Sequence, residues 1–428
     1  MRLELRKIPI TNIEFGNETK VDGATLLIDR EELIKKLKEV PNVKEIKIDL
    51  ARPGEKIRII PVKDVIEPRF KVEGPAGFAG VTSDVAQLGN GVVNVLDGAA
   101  IVTIGDIVGF QEGIIDMWGE GAKWTPFSKT NNIVVDISVI DGLTPHEHEE
   151  TCRLVGLKAS ELVGLAAREM ISENIEIFDM GDNVEETSKY PDLPKVVYVE
   201  MLISQGLLHA SYIYGVDSAH ILPNLIAPNE ELDGAVISGN CVAACDKITT
   251  YQHQNNAVIK ELYKLHGKEI NFLGVVLVPE MTTLNGKFIS CDYTAKLCKM
   301  LGADGVIVSE EGYGNPDSDL VMICSRLEKQ GIKTVLITDE CSGWDGMSQP
   351  LTDIAKEAVA VISTGNVSHV VELEKADIVL GDPNAVSNIA GGWAGAYNPE
   401  DGTMKCELNA VIGATSEIGT HNCTVELY

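Results

Sequence analysis

Alternating strand and helix patterns after residue 256 constrain the fold of this chain more than any other feature of its sequence. Residues 256–268 are amphipathic, and the apolar run 270–278 is typical of a parallel strand covered on both faces. The alternation continues as helix 293–301, strand 305–309, helix 320–330, strand 334–338, a helix beginning at 354–357, and strand 360–363. This rhythm predicts a parallel sheet whose strand carboxyl ends share one rim.

The first part of the chain has a different pattern that is rich in strands. Residues 2–13 largely alternate apolar and polar side chains, and residues 92–108 form two strand patterns around Asp97 and Gly98. Thr144 is a good N-cap for a helix that we expect to run to residue 173. We therefore predict an α/β fold in three segments. A strand-rich N-terminal domain spans 1–140, a mixed α/β segment spans 141–240, and a C-terminal parallel-sheet α/β domain spans 241–428.

Composition excludes several classes of function. The chain has 428 residues and a formal net charge of −28, from 64 acidic and 36 basic residues. This balance argues against nucleic-acid binding, which needs basic patches to neutralise phosphates. The nine cysteines include no CxxC spacing, which suits a reducing compartment better than a disulfide framework. No signal-peptide pattern and no membrane-length apolar run occurs, so we expect a cytoplasmic protein.

The chemistry of the chain centres on residues 238–246, with the sequence SGNCVAACD. Gly-Asn is a turn signal, so a tight turn is expected to present Cys241. Cys241 could attack an external substrate with His253 as its base, or could bind a metal together with Cys245. Its thiol could also attack the carbonyl of Asn240 in an N-to-S acyl shift. Elimination and hydrolysis would then leave a pyruvoyl group. A pair of buried structural cysteines is the fourth interpretation, and the residues alone leave all four open.

Two further groups of residues are candidates for supporting roles. Neighbours of the turn that could move protons are Cys245, Asp246, Thr249, Thr250 and His253. Polar residues after the predicted strands could recognise the ammonium group of a substrate, and these are Glu310, Glu311, Asn315 and Asp339. Carboxylates at strand ends also commonly cap helices or face solvent. We predict neither a metal site nor a nucleotide site.

Several separate segments of the chain resemble one family of proteins. They are Gly239 to Ala243 with Cys245 to Lys247, and the stretches 1–5, 51–55, 61–69, 109–117, 204–209 and 310–319. In this order they are similar to the proprotein subunit, alpha and beta, of component B of the glycine, sarcosine and betaine reductases. The resemblance runs along essentially the whole chain, and several matches in order are far more specific than one tripeptide.

The resemblance implies self-cleavage between Asn240 and Cys241, which would leave chains of 240 and 188 residues. Cys241 would become a pyruvoyl group that binds the amine of the substrate as a Schiff base for reductive C–N cleavage. The implied partners are a selenocysteine-containing component B subunit, the small selenoprotein A and a component C that forms acetyl phosphate, in a hetero-oligomer. Glycine is the expected substrate, with sarcosine and betaine as alternatives. A D-proline reductase-type proprotein and an uncleaved scaffold subunit are the other hypotheses.

Overall fold

The computed structural model describes residues 1–109, 112–181, 185, 188–204, 211–239, 244–419 and 424–426. The predicted cleavage pair, Asn240 and Cys241, lies outside the described residues. Within these ranges, the mixture of helices with parallel and antiparallel strands confirms the predicted α/β fold. None of the helices found there is long and apolar enough to cross a membrane.

The regular elements follow one another along the chain as two lists. Up to residue 181 they are β1 (Arg2–Pro9), β2 (Asn12–Gly16), β3 (Lys20–Asp22), β4 (Thr25–Asp29), α1 (Arg30–Leu37), β5 (Val43–Ala51), β6 (Ile57–Ile66), β7 (Arg69–Glu73), β8 (Gly91–Asp97), β9 (Ala99–Gly105), β10 (Gly113–Asp116), β11 (Asn131–Val139), α2 (Pro145–Gly164) and β12 (Ile175–Asp179). They continue with β13 (Lys195–Leu202), β14 (Tyr212–Ile213), β15 (Val216–Asp217), β16 (Asn224–Ile226), α3 (Pro228–Leu232), β17 (Val236–Ile237), α4 (Thr250–Gln254), α5 (Ala257–Leu265), β18 (Asn271–Pro279), α6 (Leu284–Leu301), β19 (Gly305–Ser309), α7 (Asn315–Glu328), β20 (Lys333–Glu340), β21 (Ala360–Asn366), β22 (Val370–Leu373), β23 (Ile378–Gly381), β24 (Met404–Glu407) and β25 (Thr424–Glu426).

Two larger sheets form the strand-rich N-terminal region. One has the strand order β12–β1–β8–β7, and the other has the order β10–β6–β9–β11–β5 with β23 beside β6. Every residue of β6 is buried, as expected for a strand that is covered on both faces. β12 pairs antiparallel with β1, and β23 pairs parallel with β6. Strands from beyond residue 140 therefore complete both sheets of the N-terminal region.

Helix α2 covers the second of these sheets. Thr144 caps it through a reciprocal capping box with Glu147, as its sequence indicated. The expectation that this helix runs to residue 173 is wrong, because α2 ends at Gly164 and only one turn of 3₁₀ helix follows. A Cβ atom on Gly164 would lie 2.1 Å from the carbonyl oxygen of Arg69. The helix end therefore touches the backbone of β7, and the chain turns away there to reach the edge of β1.

A seven-stranded sheet with the order β16–β18–β13–β19–β20–β21–β25 forms the C-terminal half. Its five central strands run parallel, which confirms the sheet predicted from the strand–helix alternation. The helix predicted at 354–357 is wrong, because residues 341–359 connect β20 to β21 without a helix. Ile354 is 60% exposed there, and a single helical turn that buries so little apolar surface is unstable.

The predicted common rim at the carboxyl ends of the parallel strands is confirmed. β19, β20 and β21 end at Ser309, Glu340 and Asn366. The Thr338 hydroxyl near the end of β20 donates a hydrogen bond to Glu310, just after β19. The hydroxyl of Thr364 in β21 donates to the backbone oxygen of Thr338 at 3.3 Å. Polar groups that are far apart in sequence therefore meet at this rim.

Candidate active site

The chain on both sides of the predicted cleavage pair is held by hydrogen bonds. Before the pair, the backbone N–H of Ser238 donates to the Thr250 hydroxyl at 3.0 Å. After it, the carbonyl of Ala244 accepts from the Gly413 N–H at 2.8 Å, and that of Cys245 accepts from the Thr415 N–H at 2.9 Å. The described residues nearest to Asn240 and Cys241 are thus fixed to α4 and to the C-terminal segment.

Glu311 links three separate segments around this position. Its carboxylate accepts hydrogen bonds from the Ile203 N–H at 3.0 Å, the Ser211 hydroxyl at 3.1 Å and the Ile248 N–H at 3.2 Å. Burial raises the pKa of Glu311, and nearby His253 together with these donors opposes the rise. Since both oxygens accept hydrogen bonds from the protein, the geometry gives Glu311 a positioning role.

Asp64 makes the corresponding link to the N-terminal sheets. It lies in β6 and accepts hydrogen bonds from the backbone N–H of Thr250 at 3.0 Å and from its hydroxyl at 2.7 Å. Burial raises the pKa of Asp64, while the positive charge of Lys247 and the bonds from Thr250 lower it. Thr249 caps α4 in a capping box with Gln252. Thr249 and Thr250 therefore anchor the chain that follows the predicted cleavage position.

A group of buried carboxyl groups, which we call the acid cluster, lies at the rim of the parallel sheet. Each of its members is at most 1% exposed, and they are Asp246, Glu280, Glu310, Asp339 and Glu417. Burial raises the pKa of every member well above its usual range, and repulsion between neighbours adds to the rise. Asp246 raises the pKa of Asp339, and Asp339 raises that of Glu417.

Three members of the acid cluster share one hydrogen-bonding pattern. One oxygen of each is held, by the Glu311 N–H on Glu280, by the Thr338 hydroxyl on Glu310, and by the Thr415 hydroxyl on Asp339. Their other oxygens, and both oxygens of Asp246 and Glu417, accept no hydrogen bond from the part of the chain that the structure describes. Buried carboxylates without donors are costly unless they bind protons or a cation. The acid cluster is therefore built to hold positive charge.

Cys245 lies directly beside the acid cluster. Its sulfur is 3.8 Å from the side-chain oxygen of Asn409, whose amide donates to the Tyr313 hydroxyl at 2.9 Å. Burial, with the charges of Asp246 and Asp339, raises the pKa of the Cys245 thiol well above its usual value. The thiol therefore stays protonated, and this environment opposes a nucleophilic role. One ligand atom each from Cys245, Asp246 and Asp339 lie within 4.8 Å of one another, which is compatible with a bound cation.

A small cavity leads toward the acid cluster from one side. It has a volume of about 250 Å³ and is lined by residues that include Trp124, Thr364, His369 and Thr415. The rings of Trp124 and His369 are 5.5 Å apart across it. Because the Thr415 hydroxyl also binds Asp339 at 2.9 Å, this cavity reaches the cluster. A larger cavity of about 310 Å³, near Glu67 and Glu161, contains none of the predicted site residues.

His253 belongs to a second buried group, with Glu200 of β13 and Glu231 of α3. Its Nδ1 atom is 3.2 Å from Oε1 of Glu200 and 3.7 Å from Oε1 of Glu231. Burial alone would lower the pKa of His253, but the two carboxylates raise it to about 10. Burial and the charge of Glu231 raise the pKa of Glu200 well above its usual range. We call Glu200, Glu231 and His253 the histidine cluster.

The structure brings most of the predicted site residues to this region. Cys245, Asp246, Glu310 and Asp339 meet in or beside the acid cluster, and Asn315 begins α7, where its backbone oxygen accepts from Lys287.

Five residues of the two clusters were missed by sequence reasoning, namely Glu200, Glu231, Glu280, Thr415 and Glu417. Glu200 and Glu280 lie at or just after strand ends, so the rule that identified Glu310 could have found them.

Comparison with known proteins agrees with this arrangement. The sequence profile of the glycine/sarcosine/betaine reductase component B subunits matches residues 1–426. The chain is 51% identical over 420 residues to the glycine reductase complex component B subunits alpha and beta of Peptoclostridium acidaminophilum, covering 98% of each chain. It is 49% identical over 431 residues to the corresponding protein of Acetoanaerobium sticklandii, covering 100% of each.

A third relative is the sarcosine reductase complex component B subunit alpha of Peptoclostridium acidaminophilum, at 46% identity over 429 residues and 100% of each chain. No solved structure matches the chain. The fold and site define a two-region α/β protein with a buried acidic rim. The chain belongs to the glycine/sarcosine/betaine reductase component B family.

The different roles of Glu311 and Glu417 predict opposite effects of the same substitution. Glu311→Gln removes an acceptor from buried donors, so we expect the free energy of unfolding to fall by about 2–4 kcal/mol. Glu417→Gln removes a repelled carboxyl group, so we expect no loss and a gain of up to about 1 kcal/mol. Urea unfolding measures both, and equal losses in the two variants would contradict these roles.

The raised pKa values of Asp246, Asp339 and Glu417 predict how stability depends on pH. The folded state keeps protons that the unfolded state releases, so this contribution is full below the ordinary carboxyl pKa and is lost as pH rises through the raised values. The free energy of unfolding should fall from about pH 5 to about pH 8, by up to about 1.4 kcal/mol per pH unit for each retained proton. Asp339→Asn should flatten this slope, and a stability that rises over the same range would be the contrary result.

Proposed function

We propose that this chain is the substrate-activating subunit of an anaerobic amino-acid reductase, with glycine as its substrate. The observation that carries the proposal is the match to the component B family over residues 1–426. The two glycine reductase relatives, at 51% and 49% identity, are closer to this chain than the sarcosine reductase relative at 46%. A buried acidic rim beside the predicted cleavage position supports an amine as the substrate.

We propose further that the chain cleaves itself before Cys241. The Cys241 thiol adds to the carbonyl carbon of Asn240, and the peptide C–N bond breaks as a thioester forms and the amine is freed. Loss of the Cα proton then breaks the Cβ–S bond and leaves a dehydroalanine, with a thiocarboxylate on Asn240. Water hydrolyses the dehydroalanine to a pyruvoyl group and ammonia, and it converts the thiocarboxylate to a carboxylate and hydrogen sulfide.

The ties around residues 238–250 support this route. Ser238 is bound to Thr250, Ala244 to Gly413 and Cys245 to Thr415, so the two sides of the turn are held independently. Such fixed ends favour a constrained turn, in which a side chain can attack its own backbone. The protonated acids of the acid cluster, Asp246 among them, are proton donors of the kind that a leaving amine requires.

A pyruvoyl group supplies an electrophilic carbonyl that can take up an amine. The residues of this chain supply the binding environment. The unpaired oxygens of Glu310 and Asp339 face a crowded acidic site that attracts a positively charged ammonium group. The cavity beside Thr415 gives a small amino acid a route to it. Selenoprotein partners, which the family resemblance implies, would supply the nucleophile that takes the carbon fragment.

The two other hypotheses are less well supported. A D-proline reductase-type role is opposed by the identities of 46–51% over nearly the whole chain with component B proteins. An uncleaved scaffold would give no reason to gather five buried carboxyl groups, of which Asp246 lies five residues after Cys241.

Substitution of individual cysteines tests the cleavage. Cys241→Ala should leave a single uncleaved chain on a denaturing gel, because no thiol remains to attack Asn240. Cys341→Ala, at an exposed position in the loop after β20, is the matched control and should cleave like the wild type. Cleavage that persists in Cys241→Ala and disappears in Cys245→Ala would move the pyruvoyl source to Cys245 and contradict the proposal.

Substitution of Asp339 tests recognition of the amine. In the reconstituted complex, Asp339→Asn should raise the KM for glycine by about tenfold, the equivalent of about 1.4 kcal/mol of lost binding. Asp345→Asn, in the loop that connects β20 to β21, is the control and should leave KM unchanged. An unchanged KM in Asp339→Asn, measured on fully cleaved protein, would remove Asp339 from the substrate site.

A further inference from the structure

The histidine cluster combines three complete side chains in one buried place. Glu200 comes from β13, Glu231 from the short helix α3 and His253 from α4, and each is 0% exposed. One ligand atom from each lies within 4.8 Å of the other two. These elements are far apart in sequence and are otherwise joined to different parts of the sheet. Something must compensate the carboxylates, and the candidates are protons, the imidazole ring or a bound cation.

The geometry of the imidazole ring argues against an ordinary ion pair. Nδ1 of His253 is 3.2 Å from Oε1 of Glu200, which is close enough for a hydrogen bond. Nevertheless, neither ring nitrogen makes a well-aligned hydrogen bond with any residue that the structure describes. Oε1 of Glu200 and Oε2 of Glu231 are equally without a donor in that part of the chain. The ring nitrogen and the carboxylate oxygens are therefore close together without pointing at one another.

Asn256 fixes the orientation of the two carboxylates from outside. Its side-chain oxygen accepts from the Ile259 N–H at 3.1 Å, which determines where its NH₂ group points. That group donates to Oε1 of Glu231 at 2.7 Å and lies 3.5 Å from Oε2 of Glu200. Carboxylates that bind metals are commonly oriented by such an outer hydrogen-bond donor. The arrangement leaves one oxygen of each glutamate unpaired beside the ring.

The separations match those between neighbouring ligands of one metal ion. Zinc binds histidine nitrogen and carboxylate oxygen at about 2.0–2.2 Å, so neighbouring ligand atoms in its shell lie about 2.9–3.6 Å apart. The N–O separations in the histidine cluster are 3.2 Å and 3.7 Å. A metal ion between the three groups would receive the lone pairs that hydrogen bonds leave unused. One imidazole with two carboxylates is a donor set that first-row divalent metals accept.

We propose that Glu200, Glu231 and His253 bind one divalent first-row transition metal ion, with zinc as the best match. The ion joins β13, α3 and α4 from behind the segment that carries the predicted cleavage position. His253 is three residues after Thr250, which holds Ser238 and Asp64, so the ion stabilises the ties described above. Its role is structural, it differs from the absence of metal expected from sequence, and it does not depend on the proposed cleavage.

Metal analysis of the full-length protein tests this proposal. Protein purified anaerobically from cells supplied with zinc, iron and manganese should contain about one equivalent of one of these metals per chain. Glu200→Gln and His253→Gln should each contain less than about a tenth of an equivalent. Asp116→Asn is the matched control, because Asp116 is an equally buried carboxylate that pairs with Arg58 at 2.7 Å, and it should keep the metal.

Two results would overturn the metal site. Wild-type protein without any of these metals would mean that protons alone compensate the carboxylates. Full metal content in the Glu200 and His253 variants would place the metal elsewhere. If these variants do not fold, the spectrum of wild-type protein produced with cobalt decides. Visible d–d bands without a thiolate charge-transfer band are expected, and a thiolate band would assign the metal to Cys245 instead.

Discussion

Repulsion between buried carboxyl groups at the rim of the parallel sheet is the constraint on which the rest of this structure depends. The strands end side by side, so the acids that follow them, such as Glu280 and Glu310, are brought together by the topology itself. Asp246 and Glu417 add two more from other segments. Such a group destabilises a fold unless it is held by surrounding donors and supplied with protons or cations. The ties through Asp64, Glu311 and Thr415 are the structural counterpart of this cost.

The order of the strands has a consequence for a cleaved chain. β13 precedes the predicted cleavage position, yet it lies between β18 and β19, which follow that position. β23 from the later part of the chain pairs with β6 in the N-terminal region. Both products of a cut between Asn240 and Cys241 would therefore share two sheets and a common core. Cleavage would relieve the constraint at the turn without separating the two chains.

Much of this arrangement follows from local sequence patterns, and the remainder depends on long-range contacts. The strand–helix alternation was enough to predict the parallel sheet, and the position of Glu310 and Asp339 after strands was enough to place them on its rim. Glu417 and Glu231 follow no such pattern, because only tertiary packing brings them to the clusters. The predicted helix at Ile354 failed because local propensity was not supported by burial. Cys241 was singled out through resemblance, since its residue type alone allowed four interpretations.

The central claim is that the chain becomes two interlocked chains with a carbonyl group at the new N-terminus. Mass spectrometry of protein produced with its partner subunits, under native and denaturing conditions and with or without hydroxylamine, tests it most directly. The account predicts one assembly that holds both pieces under native conditions, and under denaturing conditions fragments of 240 and 188 residues, of which only the shorter gains the reagent. A single 46.2 kDa chain that takes up a thiol reagent and no hydroxylamine would contradict it.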